Sequence, residues 1–148
     1  QLHSGGNQMK KMMATTVFAA LAAAMAVPAM AEGNLASRAT ELELDINTVD
    51  LNFSQPQFEI ETGKYYILHV TSDGAEEIQV VAPELWRNSW INQVVVNDLE
   101  TTPYGLYGIE FDDEGTFSIG FVPIRPGEYD IYVPGYEERG LSGKFVVK

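Results

Sequence analysis

Carboxylates dominate the residues of this chain that could do chemistry. Glu76 and Glu77 stand side by side in "GAEEIQ", Glu137 and Glu138 in "PGYEERG", and Asp112, Asp113 and Glu114 in "EFDDEG". Carboxylate oxygens suit hard cations such as calcium. If Glu76, Glu77, Glu137 and Glu138 met at one end of the fold, they would form a hard-cation site or a charged docking face. Neighbouring strand residues point to opposite faces, so Glu76 and Glu77 cannot both turn inward. Asp112, Asp113 and Glu114 lack the spacing of a twelve-residue calcium loop. They read as an acidic hairpin turn closed by Gly115. The remaining inventory is short. The chain has no cysteine, and its five methionines (9, 12, 13, 25 and 30) all precede Ala31. Beyond that point His69 is the one imidazole. Thiol catalysis and thiolate metal binding are therefore excluded. No nucleophile elbow is visible, and His69, between Leu68 and Val70, reads as a strand residue facing solvent or a polar partner. Carboxylate pairs for sugar cleavage are present by type, but the chain is small for such a cleft. An enzyme is not expected. "LWRNSW" is the most distinctive surface candidate, because Trp and Arg dominate binding hot spots. Trp86, Arg87 and Trp90 would form a partner-binding patch there. The competing reading makes the segment an end plug, with one tryptophan in the core and Arg87 paired to an acid.

Export and charge bound the partner. Residues 1–8 read as an upstream or non-native extension. From Met9, two lysines precede an Ala-rich apolar run that ends in the small-x-small triplet Ala29-Met30-Ala31. That is the pattern of a secretory signal peptide, residues 9–31. The run is shorter than the roughly 20 residues of a spanning helix, and no membrane span is expected after its removal. The remainder carries a formal charge of about −14, against −12 for the whole chain. Nucleic acid, whose phosphates require Lys and Arg, is excluded as a partner.

Residues 32–39 read as a flexible tail and 40–148 as one domain. The domain breaks into short alternating or β-branched segments: "ELELDI", "QFEIETG", "KYYILHV", "EIQVVA", "INQVVVND", "YGIEF", "TFSIGFV", "EYDIYV" and "GKFVVK". Turn residues separate them. Only "PELWRNSW" has helical features, with Pro83 at a first helical position and Trp86 and Trp90 on one face at i, i+4. About eight short strands with one helical turn predict an all-β Greek-key sandwich.

The C-terminal half is more specific. "FVPIRPGEYDIYVPGYEERGLSGKFVV" resembles the cupredoxin family, small exported β-sandwiches typified by plastocyanin. The resemblance runs from about Phe58 to Lys148 and implies a cupredoxin-type fold and a copper site. Family members carry a Cys at or beside the place of Val133, a His where Tyr136 stands and an axial Met where Leu141 stands. Their first His falls near Glu76 or Glu77. None of these four positions holds the family's ligand, and His69 lies before the ligand turn. A blue-copper centre needs two imidazoles, a thiolate and a weak axial ligand. The expected protein is thus a degenerate cupredoxin-like member without cofactor, its ligand positions packed as core or, alternatively, left as an emptied apolar pocket for a small ligand. Burying Val133 and Leu141 there contributes roughly 1.5–3 kcal/mol each. The expected function is a periplasmic binding or accessory module for a protein partner. The alternative, implied by the resemblance, is a copper-binding or electron-transfer protein, or a metal-uptake accessory.

Overall fold

The computed structural model describes residues 35–148. The leader at 9–31, residues 1–8 and the start of the tail lie outside the described residues. No helix among the described residues is long and apolar enough to cross a membrane.

The strands in chain order are β1 (Thr40–Asn47), β2 (Asn52–Phe53), β3 (Gln57–Ile60), β4 (Tyr66–Ser72), β5 (Ile78–Val81), β6 (Ser89–Val96), β7 (Leu99–Thr101), β8 (Gly108–Phe111), β9 (Gly115–Pro123), β10 (Gly127–Tyr132) and β11 (Ser142–Val147). One α-helical turn, α1 (Pro83–Arg87), joins β5 to β6, and a 3-10 turn spans Glu137–Arg139. They form two facing sheets, ordered β2-β1-β4-β9-β6-β7 and β3-β11-β10-β5-β8. The pairs β1–β4 and β3–β11 are parallel and the others antiparallel, so the architecture is an all-β Greek-key sandwich.

The expectation of about eight strands is too low, and the reason is local. All nine apolar segments become strands. The two additions, β2 and β7, have two and three residues. They exist because a partner strand extends beside them, not because of their own pattern. Asn97 and Asp98 both adopt positive φ, 49° and 64°, which suits the two-residue turn closing the β6–β7 hairpin.

Alternation places the core. In β1, Leu44 and Ile46 are buried while Glu41, Glu43 and Asp45 are exposed. Phe121 of β9 and Phe145 of β11 meet edge to face across the sandwich, their centroids 6.5 Å apart. Trp86 packs edge-on against Phe121 at 5.2 Å, and Phe58 stacks on Phe145 at 4.8 Å. Such aromatic pairs add about 0.5–1.5 kcal/mol each beyond area burial. Tyr65 lies over the outer face of β9, where a Cβ on Gly120 would come within 2.3 Å of its hydroxyl.

Candidate functional site

The β10–β11 loop carries Val133, Tyr136 and Leu141, where the sequence resemblance puts three of four copper ligands. It folds on its own hydrogen bonds. The Val133 amide donates to the Leu141 carbonyl at 3.0 Å, and the Tyr136 amide to the Val133 carbonyl at 3.0 Å. The Arg139 and Leu141 amides donate to the Tyr136 carbonyl at 3.0 and 3.2 Å. Leu141 is fully buried and Val133 is 2% exposed. Tyr136 is partly buried against the core, and the Arg139 guanidinium lies 4.8 Å from its ring centroid. Gly135 and Gly140 supply the positive φ angles the turn needs, 86° and 117°. At Gly140 a Cβ would stand 2.2 Å from the Leu51 carbonyl oxygen. Close backbone approach thus fastens this loop to the β1–β2 turn.

Glu76 and Glu77, near which the resemblance puts the fourth ligand, lie in the β4–β5 loop, which is tied down separately. Asp73 accepts hydrogen bonds from the Thr48 hydroxyl and, at 2.9 Å, from the Thr48 amide. The Thr48 hydroxyl in turn accepts from the Glu76 amide at 3.1 Å. The Thr48 hydroxyl bond is the chief cause holding the Asp73 carboxyl below the usual aspartate range. Gly74, at φ 67°, lies against the backbone of Asp113 and Glu114.

The four carboxylates do not gather as a single site. Glu76 is exposed, with its amide held by Thr48. Glu77 instead faces Glu110 and Asp112, with one ligand atom from each within 4.8 Å of the others, all three residues being exposed. Glu137 and Glu138 lie outside this group. Glu110 titrates above the usual glutamate range, because it shares a hydrogen bond with Glu77 and stands near Asp112. This set of oxygens is one a hard cation, not copper, would take. The missed signal was β5–β8 pairing, which sets Gln79 opposite Glu110 and so Glu77 beside Asp112.

Asp112, Asp113 and Glu114 are not a hairpin turn. β8 belongs to one sheet and β9 to the other, so this acidic segment crosses between the layers. Trp86 and Trp90 do not share a helix face either. α1 ends at Arg87, because the following segment enters β6, where Trp90 pairs with Val122. Trp86 is 4% exposed and Trp90 44%. Arg87 pairs with Glu84 at 3.2 Å on the surface.

His69 is satisfied rather than free. Its Nδ1 lies 2.6 Å from Ser118 Oγ and its Nε2 2.7 Å from Glu41 Oε2. The Ser–His–Glu order resembles an activated nucleophile, and sequence reasoning missed it. Cross-strand pairing of β1, β4 and β9 creates it. Ser118 sits on a strand paired on both sides, with His69 and with Val95. Both neighbouring strands engage the β9 backbone there, unlike the free amides of an oxyanion hole. The relay is a structural link between three strands.

The donor set settles the copper question. The chain contains no cysteine, and valine, tyrosine and leucine occupy the ligand loop. This chain therefore supplies no thiolate for a thiolate–imidazole copper site.

No known family profile matches the chain. No curated protein matches it in sequence. Solved structures do match in fold. A multicopper oxidase from Pseudomonas thermotolerans superimposes with a TM-score of 0.60 at 15% identity, over 84% of this chain and 33% of that one. A laccase from Pediococcus acidilactici gives 0.61 at 8% identity, over 82% and 29%. A copper-containing nitrite reductase from Thermus scotoductus gives 0.57 at 10% identity, over 73% and 30%. The chain spans about a third or less of these proteins. The fold is that of a cupredoxin-like domain.

Proposed function

We propose that this chain is an exported, periplasmic cupredoxin-like module that has given up copper and acts as a binding or accessory unit for a protein partner. The observation that carries this reading is the burial of Val133 and Leu141 at ligand-equivalent positions, 2% and 0% exposed. A loop that once would have wrapped a metal is closed by side chains instead. The Ala-rich leader supports export.

The docking face proposed is the closed loop and its flank. Glu137 and Glu138 are exposed. Glu137 also lines a groove of ≈ 630 Å³ with Tyr132, Asp130, Ser142, Lys144 and Gln57. Trp90 and Arg87 are also exposed, whereas Trp86 is buried in the core. The copper-carrier or electron-transfer reading lacks a ligand set.

A photo-crosslinking side chain placed at Glu138 in the producing cell tests the docking face. One discrete protein adduct, absent when the probe sits at Gln79, is expected. Equal labelling from both positions would contradict the proposed face.

A further inference from the structure

We propose that the groove between α1 and residues 102–107 binds a neutral carbohydrate chain. The groove, ≈ 500 Å³, is lined by Pro83, Trp86, Arg87, Ser89, Tyr104 and Tyr107 among others. That size lies within the range of small-ligand sites. This goes beyond partner docking and uses a different part of the surface from Glu137 and Glu138.

Two tyrosine rings stand open there. Tyr104 is 113% exposed and Tyr107 58%. Among the described residues neither ring takes part in an aromatic pair or lies under a cation. Their frame is fixed all the same. Leu106 packs against the core, the Tyr107 carbonyl accepts from the Ala82 amide at 3.4 Å, and Leu85 and Trp86 of α1 are buried. Uncovered rings on a segment anchored at Leu106 and Tyr107 are open to a flat apolar surface. The C–H face of a pyranose is such a surface.

The polar chemistry beside the rings fits hydroxyl groups. Arg87 and Glu84 pair at 3.2 Å with most of each side chain exposed. A guanidinium donates only and a carboxylate accepts only, so the pair can serve two adjacent sugar hydroxyls at once. The Ser89 hydroxyl, in the groove wall, is the one buried side-chain polar atom without a partner among the described residues. Buried polar groups are ordinarily satisfied, and this one marks the wall as polar. The Glu84–Arg87 pair is self-neutralised, so the groove selects neither a basic nor an acidic ligand. The formal charge of −12 further disfavours an acidic polymer. Proline-rich peptides dock in grooves lined by aromatic rings. Here neither tyrosine ring contacts another, which favours separate stacking surfaces over a proline slot.

The test applies the full chain to an array of oligosaccharides and measures the best neutral binder by calorimetry. The expected result is saturable binding that falls at least about ten-fold in Tyr104→Ala and in Arg87→Ala, and is unchanged in Leu99→Ala. Both groove substitutions are on exposed side chains, and retained thermal unfolding confirms the fold. Absence of any glycan binding tighter than about 10 mM would overturn the proposal. So would binding indifferent to Tyr104→Ala, or a proline decapeptide that binds through Tyr104 in place of sugar. Crosslinking from Glu138 reads the partner face independently, so either reading can fail without the other.

Discussion

At Gly140 two independent constraints coincide. Its φ of 117° lies where side chains are strained, and its Cβ position lies 2.2 Å from the Leu51 carbonyl oxygen, a backbone atom with little freedom to yield. Gly140→Ala is expected to destabilise the fold by about 1–3 kcal/mol, read from urea unfolding. Gly63 also has positive φ, 75°, but its Cβ would meet nothing within 4 Å. Gly63→Ala should cost less, which separates backbone strain from collision. Asp73 offers a pH test. Its carboxyl is held below the usual range by Thr48. The folded value is depressed, so the linked stability is present above the unfolded aspartate value of about 3.9 and lost as pH falls through the folded value. Thr48→Val removes the hydroxyl. The stability gap between the parent and this variant should therefore narrow as pH falls below about 4. An unchanged gap down to pH 2 would show that Asp73 is not the linked group.

Elements were more legible than their partners. Each of the nine apolar segments read from alternation is a strand, and Pro83 opens the one α-helical turn. What alternation does not carry is which strands pair. The Ser118–His69–Glu41 relay, the Glu77–Glu110–Asp112 set and the crossing of residues 112–114 between sheets all depend on pairing. The helical pattern at Trp86 and Trp90 misled for a related reason. The i, i+4 spacing was real, but α1 stops at Arg87 and the chain enters β6, so tertiary pairing overrode local periodicity. The two tryptophans should behave differently. Trp86→Ala removes a ring packed edge-on against Phe121 and should cost about 3–5 kcal/mol. Trp90→Ala, on a residue 44% exposed, should stay within about 1 kcal/mol. Thermal or chemical unfolding of the pair decides this, and equal losses would place Trp90 in the core after all.

For the whole molecule, the loop end of the sandwich is closed by its own contacts. The β1–β2 turn, the β4–β5 loop, the β8–β9 crossing and the β10–β11 loop are joined by the Thr48–Asp73 hydrogen bonds and by close approaches at Gly74 and Gly140. Apolar burial of Val133 and Leu141 completes the closure. That outcome was partly legible beforehand, because a chain without cysteine cannot make the thiolate site whatever its fold. The fastening contacts were not legible, since they join residues distant in sequence through backbone atoms. The most direct test is amide hydrogen exchange of residues 133–141 in the full chain, with chelator present and then with added Cu(II). The account predicts that Val133, Tyr136 and Leu141 amides are protected in chelator as strongly as those of β9 and β11, and that copper changes nothing in this loop. Rapid exchange in chelator that slows when copper is added would contradict it, because the metal would then be what holds the loop.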